Sequence, residues 1–217
     1  MLARWDRAVV EAFQDARWHP ADWAFVHLSD WWVRSLLIIG IALAADLWAR
    51  RLPVAALLST VAYFAAGGIT EGLKDVFDRP RPPLVDPAVH PLVAVAHSGA
   101  MPSGHAATAF GAATAAGLVH PRLRAPLLVL AGLVAVSRVW LGVHYLSDVL
   151  VGAAVGAAVA VALWLAVTWA WAPVFPRGGA GSAPRAPLAP SASSRRAPRS
   201  APAAGPRRAS RPRRSRR

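Results

Sequence analysis

With 217 residues, 55% of them hydrophobic, and a positive mean hydropathy, the chain is too apolar for an ordinary soluble fold. The absence of cysteine excludes disulfides, thiolate metal sites, iron–sulfur clusters and cysteine nucleophiles. The formal charge of +13 suggests a nucleic-acid binder until it is mapped: residues 1–176 carry 12 basic and 11 acidic side chains, whereas residues 177–217 carry 12 arginines and no acid.

In chain order, Leu2, Trp5, Val9, Phe13 and Trp18 recur near helical spacing among Arg4, Asp6, Arg7, Glu11 and Asp15, which predicts an amphipathic surface helix within residues 1–31. These opening residues mix acids with bases and lack a continuous apolar run, so an uncleaved signal peptide is not expected. A bilayer span takes roughly 20 mostly apolar residues. Five stretches approach that length: 32–49, 53–73, 104–120, 125–146 and 148–172. The third is short and weakly hydrophobic, and its small residues suit close helix packing. Tryptophans near the span ends match an aromatic belt. The expected fold is therefore an all-α, polytopic membrane bundle of about five transmembrane helices over residues 32–176, with the surface helix before it. After Pro173 and Pro176, residues 177–217 hold Ala, Pro, Ser, Gly and Arg with few large apolar side chains, and are expected to be a disordered tail.

Basic residues at the span ends set an orientation. Arg50 and Arg51, Arg122 and Arg124, and the arginine tail fall on one side, which should be cytoplasmic. Residues 1–31, with five acids against three arginines, and the loops near 74–103 and 138–148 should face outward.

Polar residues gather at those outward ends. Lys74, the only lysine beside 23 arginines, opens a K-x6-R-P pattern completed by Arg81 and Pro82. Pro102, Ser103, Gly104 and His105 begin the third span, and Ser137, Arg138, His144 and Asp148 form S-R-x5-H-x3-D between the fourth and fifth. Over residues 50–170 this three-part signature resembles the type 2 phosphatidic acid phosphatase (PAP2) family, membrane relatives of vanadium-dependent haloperoxidases. The resemblance implies a membrane lipid phosphatase, with His144 attacking phosphorus, His105 as general acid, and a phosphohistidine intermediate that water attacks once His105 turns base. Its members commonly have six spans, against five plus a surface helix here.

The residue chemistry leads the same way. Phosphoryl transfer needs positive groups and positioned donors around three equatorial oxygens, and Lys74, Arg81 and Arg138 supply the charges. Arginine offers a planar fork to phosphate, lysine a compact charge. Ser103 sits where it would cap the third helix, and the backbone N–H groups of Ser103, Gly104 and His105 would add a helix N-terminus to the anion site. His144 is the nucleophile candidate because Asp148, four residues on, can accept its second ring N–H and fix the tautomer; His105 is left as the acid. No cofactor is called for: His105, His144 and Asp148 are a conceivable zinc set, but surrounding arginines would repel the metal. Asp148 is also a conceivable partner for Arg138, and Glu71 for a motif arginine. Asp75, Asp78, Asp86, His90, His97 and Ser98 lie in the same outer loop as candidates for shaping substrate entry.

The expected partners are a lipid phosphate or diphosphate and membrane lipids, with the tail contacting anionic lipid and no specific nucleic acid. Three other readings stand beside this one. A haloperoxidase would require vanadate, a binding module would act through the arginine tail, and a transporter would show broken helices or paired repeats at mid-membrane.

Overall fold

A computed structural model describes residues 2–171; the expected tail at 177–217, and the domain boundary at 176, lie outside the described residues. The described residues form helices and no strand: α1 (Leu2–Asp15), α2 (His19–Ser29), α3 (Trp31–Trp48), α4 (Val54–Phe77), a single turn α5 (Pro82–Val85), α6 (Gly104–Val119), α7 (Arg124–Trp140) and α8 (Leu146–Trp171), with a 3₁₀ turn at Pro121–Leu123 before α7.

Each of the five apolar stretches contains a helix, though the fourth, expected over 125–146, ends at Trp140 and leaves 141–145 as a turn. Three are long and apolar enough to cross a membrane alone: Val54–Val85, Pro121–Trp140 and Leu146–Ala170. The stretch 32–49 joins them if α2 and the body of α3 count as one span bent by 67°. The helical periodicity within residues 1–31 does not separate α2 from α1.

At 16 residues α6 is the shortest of the five, and its position explains its composition. It is the inner helix, enclosed by α4, α7 and α8 with its alanines fully buried. Gly152 and Gly156 of α8 face it. A Cβ on Gly156 would fall on the carbonyl oxygen of Ala107, and one on Gly152 on that of Ser103, so only glycine permits this crossing. The close approach lets the Ser103 N–H donate to the Asp148 carbonyl at 2.9 Å, tying the start of α6 to the start of α8.

The N-terminal helices are docked on the bundle. Val10 and Asp6 of α1 are buried, Phe13 stands edge-on to Trp140 at 5.8 Å, and Trp5 stays 74% exposed. Arg17 donates from Nε and Nη2 to the Trp140 carbonyl (3.1 and 2.7 Å) and from Nη1 to that of His90 at 2.6 Å. On α2, Asp22 accepts the Trp140 indole N–H at 2.7 Å.

Candidate active site

A cavity of about 340 Å³ opens where α4, α6 and α7 end or begin together, and Lys74, Arg81, Gly104, His105, Arg138 and His144 all line it. Three sequence-distant motifs thus reach one point. Ser103 and Asp148 are also close by, but both are fully buried and lie behind the cavity wall.

Each cation is held differently. Lys74, in the last turn of α4, pairs with Glu71 at 2.6 Å and donates to Ser98 Oγ at 3.3 Å. Glu71 therefore serves the motif lysine, not a motif arginine. Arg81 follows the helix end at Asp78, and backbone carbonyls fix its fork: Nε donates to Ser98 O (3.0 Å), Nη1 to Val143 O (3.1 Å) and Nη2 to Gly99 O (3.3 Å). Arg138, near the end of α7, donates from Nη1 to Ser29 Oγ on α2, and its buried Nε has no partner. Asp148 is not its counter-ion.

His144 sits in the turn between α7 and α8, outside both spans. Gly142, at φ +73, takes the left-handed conformation that a side chain would strain, and the turn folds back with Val143 N–H donating to Arg138 O at 3.2 Å. Arg81 Nη1 lies 3.0 Å from His144 Nε2. Because a guanidinium only donates, Nε2 must accept, and the ring proton is then on Nδ1. Nδ1 faces Asp148 Oδ2, but at 3.6 Å it has no hydrogen-bond partner. Burial first, then the charges of Arg81 and Arg138, push the His144 pKa down to about 4 against the opposing pull of Asp148. The imidazole is neutral at physiological pH.

Asp148 is occupied elsewhere. Oδ1 accepts from Arg79 Nη1 at 2.7 Å and Oδ2 from the Tyr145 N–H at 2.9 Å. Arg79 lies over the Tyr145 ring, 4.2 Å from its centroid, and donates from Nη2 to Asp6 of α1 at 2.7 Å. Asp6 also accepts from the Ser147 N–H (3.0 Å) and hydroxyl (2.6 Å). Burial would raise the Asp6 carboxyl, but the bonds from Ser147 and Arg79 outweigh it and hold the pKa below the ordinary value. The surface helix thus braces the residue behind His144.

The helix-cap reading of Ser103 needs correction. Ser103 occupies the N-cap position of α6, but its hydroxyl makes no capping bond and is buried without a partner. Its N–H is taken by Asp148 O, so the first-turn donors left for an anion are those of Gly104 and His105. Among the described residues, no group of three or more His, Asp or Glu side chains is arranged to hold a metal ion.

Sequence reasoning gave no role to Arg79, and it missed Asp6, Ser147, Ser29 and Arg34. Arg34 lines the cavity from the first turn of α3. An arginine inside an apolar stretch is costly and marks function, so that signal was present. Nothing local distinguishes Asp6 from its acidic neighbours.

A helical bundle that crosses a membrane and focuses four buried cations and two histidines on one cavity falls in the class of membrane-embedded phosphatases. The PAP2 superfamily model matches residues 55–172, and the chain belongs to that superfamily. Its fold is similar to the first transmembrane PAP2-type phosphatidylglycerolphosphate phosphatase from Bacillus subtilis, with 24% identity, a TM-score of 0.61, and coverage of 80% of this chain and 87% of that one. It is also similar to LpxE from Aquifex aeolicus, with 26% identity, a TM-score of 0.60, and coverage of 72% and 93%. No curated protein sequence matches the chain at a significant level.

Proposed function

We propose that the chain hydrolyses a lipid phosphate or diphosphate through a phosphohistidine formed on His144. One observation carries this reading: Arg81 donates to Nε2 of a neutral, buried His144, so the unprotonated nitrogen is the one turned to the cationic cavity. Lys74, Arg81 and Arg138 neutralise the phosphoryl oxygens, helped by the first-turn N–H groups at Gly104 and His105. Nε2 forms the bond to phosphorus while the bond to the lipid oxygen breaks, and that oxygen takes a proton from His105. His105, having given up that proton, removes a proton from water as it attacks the phosphohistidine, and inorganic phosphate leaves. Asp148, held by Arg79 and the Tyr145 N–H, faces the Nδ1 proton and stabilises the positive charge that His144 gains.

A cavity at the ends of helices long and apolar enough to cross a membrane suits a lipid substrate. The purified protein in detergent, assayed with EDTA against phosphatidate, phosphatidylglycerophosphate and polyprenyl phosphates and diphosphates, should release phosphate and carry acid-labile, base-stable phosphate after a quench. Release without any such phosphoenzyme would remove the histidine mechanism.

The same reading places the cavity on the extracytoplasmic face of the cell membrane. Arg50, Arg51, Arg122 and Arg124 flank the helix ends remote from the cavity, as positive-inside topology requires. Single cysteines near Val93 and in the tail, treated with an impermeant thiol reagent on intact cells, should label at Val93 alone. The reverse pattern inverts the topology.

A further inference from the structure

Arg34 belongs to no part of the three-part signature, yet it lines the cavity with Arg81, Arg138, His105 and His144. It is 5% exposed. Nη1 donates to Ser29 O at 2.8 Å and Nη2 to Tyr63 Oη at 3.2 Å, while Nε is buried with no partner. Among the described residues no carboxylate lies within ion-pair distance of it. Ser29 joins it to Arg138: the serine carbonyl takes Arg34 and the hydroxyl takes Arg138. Two guanidiniums without an ion-pair partner among the described residues, each with an unpartnered Nε, therefore share Ser29 in one cavity, an arrangement costly unless an anion completes it.

Lys74, Arg81 and Arg138 already supply three cations for the transferred phosphoryl group, and Arg34 is a fourth in the same cavity. Four cations line the cavity and only one carboxylate, Glu71, which is 63% exposed.

Resting on the lipid phosphatase reading above, we propose that Arg34 forms a second anion subsite that holds the inner phosphate of a lipid diphosphate, while Lys74, Arg81, Arg138 and His144 take the terminal one. His144 Nε2 bonds to the terminal phosphorus, and the bridging oxygen leaves with its electron pair as part of a lipid monophosphate. Arg34 offsets the negative charge that this leaving group gains. Water then splits the phosphohistidine, so one diphosphate and one water give one lipid monophosphate and one inorganic phosphate.

The test compares a polyprenyl diphosphate and the monophosphate of the same chain length, for the wild-type protein, Arg34→Met and Arg34→Lys in detergent. Losing a charge-assisted contact costs roughly 10–100-fold. For Arg34→Met, kcat/KM should fall by that factor on the diphosphate and by less than about threefold on the monophosphate, with Arg34→Lys between. Should Arg34→Met fail to fold, Arg34→Lys and Tyr63→Phe read the same ratio, which should still drop. An equal loss on both substrates, or an unchanged ratio in the folded variants, overturns the subsite. A wild-type protein that hydrolyses monophosphates and leaves diphosphates intact overturns it too and keeps the phosphatase reading. Hydrolysis of no lipid phosphate overturns both.

Discussion

Among the described residues, two histidine–aspartate pairs stand one at each end of α6. At the end remote from the cavity, His120 Nε2 meets Asp46 Oδ1 at 2.8 Å, and the other Asp46 oxygen accepts the Ala56 N–H at 3.1 Å. That pair is closed: it fastens α6 to α3 and α4, and the basic residues nearby, Arg51 and Arg122, are exposed. At the cavity end the aspartate is taken by Arg79 and a backbone N–H, His144 stands 3.6 Å off, and the surrounding cations are buried. The same two side chains form a structural pin in one place and a candidate nucleophile in the other. What separates them is where the aspartate spends its oxygens and whether charge is gathered around the ring.

Breaking each pair gives the largest contrast. His144→Ala should abolish turnover of every substrate, a loss of at least about 10⁴-fold. In folded protein, His120→Ala should leave kcat within about threefold while lowering stability by about 1–3 kcal/mol, because Asp46 stays buried with a partner missing. Phosphate release and thermal melts on both variants decide this, and a dead but folded His120→Ala refutes the assignment of roles.

The acid comes next. His105→Ala should slow release of a lipid alkoxide by roughly 10²–10⁴ and of nitrophenolate much less, since that group leaves without a proton. First-turnover kinetics separate the two histidines; a phosphoenzyme in His144→Ala but not in His105→Ala reverses them.

Asp148→Asn should lower turnover by roughly 10²–10³ on both leaving groups alike, through misorientation of the imidazole. Asp6→Asn acts one contact further out, through Arg79 and Ser147, and should cost about 3–30-fold in kcat with KM little changed. An unaltered rate in folded Asp6→Asn makes the brace from α1 purely architectural.

The pH response sharpens the comparison further. His144, lowered to about 4 against an unfolded value of 6.5, binds its proton less readily when folded. Its contribution to stability is complete above the unfolded value and declines as pH falls from there towards 4. Its ring resonances in labelled protein should stay those of a neutral imidazole between pH 8 and about 5; titration near 6.5 contradicts the buried, cation-flanked setting. The smallest effect is expected from truncation after Pro176. Turnover in detergent should be nearly unchanged, while binding to anionic vesicles weakens, more so at low salt. Loss of turnover means the tail reaches the site.

Much of this was legible in the sequence because the signature is local in each of its three parts. Lys74 with Arg81, Gly104 with His105, and Arg138 with His144 each ride on one helix end, and hydropathy puts those ends on one side. Asp6 was not legible, because its partner Ser147 lies 141 residues away and only the docking of α1 joins them. Arg34 was visible as a cost without a purpose until α2 placed Ser29 between it and Arg138. Ser103 misled for the opposite reason: it does occupy the cap position, but its hydroxyl is buried without a capping bond and the start of α8 claims its N–H.

That claim has a mechanical consequence. His105, the proposed acid, lies at the start of α6, the aspartate behind the candidate nucleophile lies at the start of α8, and the bond from Ser103 N–H to Asp148 O is the rivet between them, set where two glycines let the rods touch. Any breathing motion that parts the rods draws proton donor and nucleophile off station in one stroke. On the proposed roles, neither half of the chemistry runs while the other idles, and a lipid substrate enters between the surrounding helices while this joint stays shut.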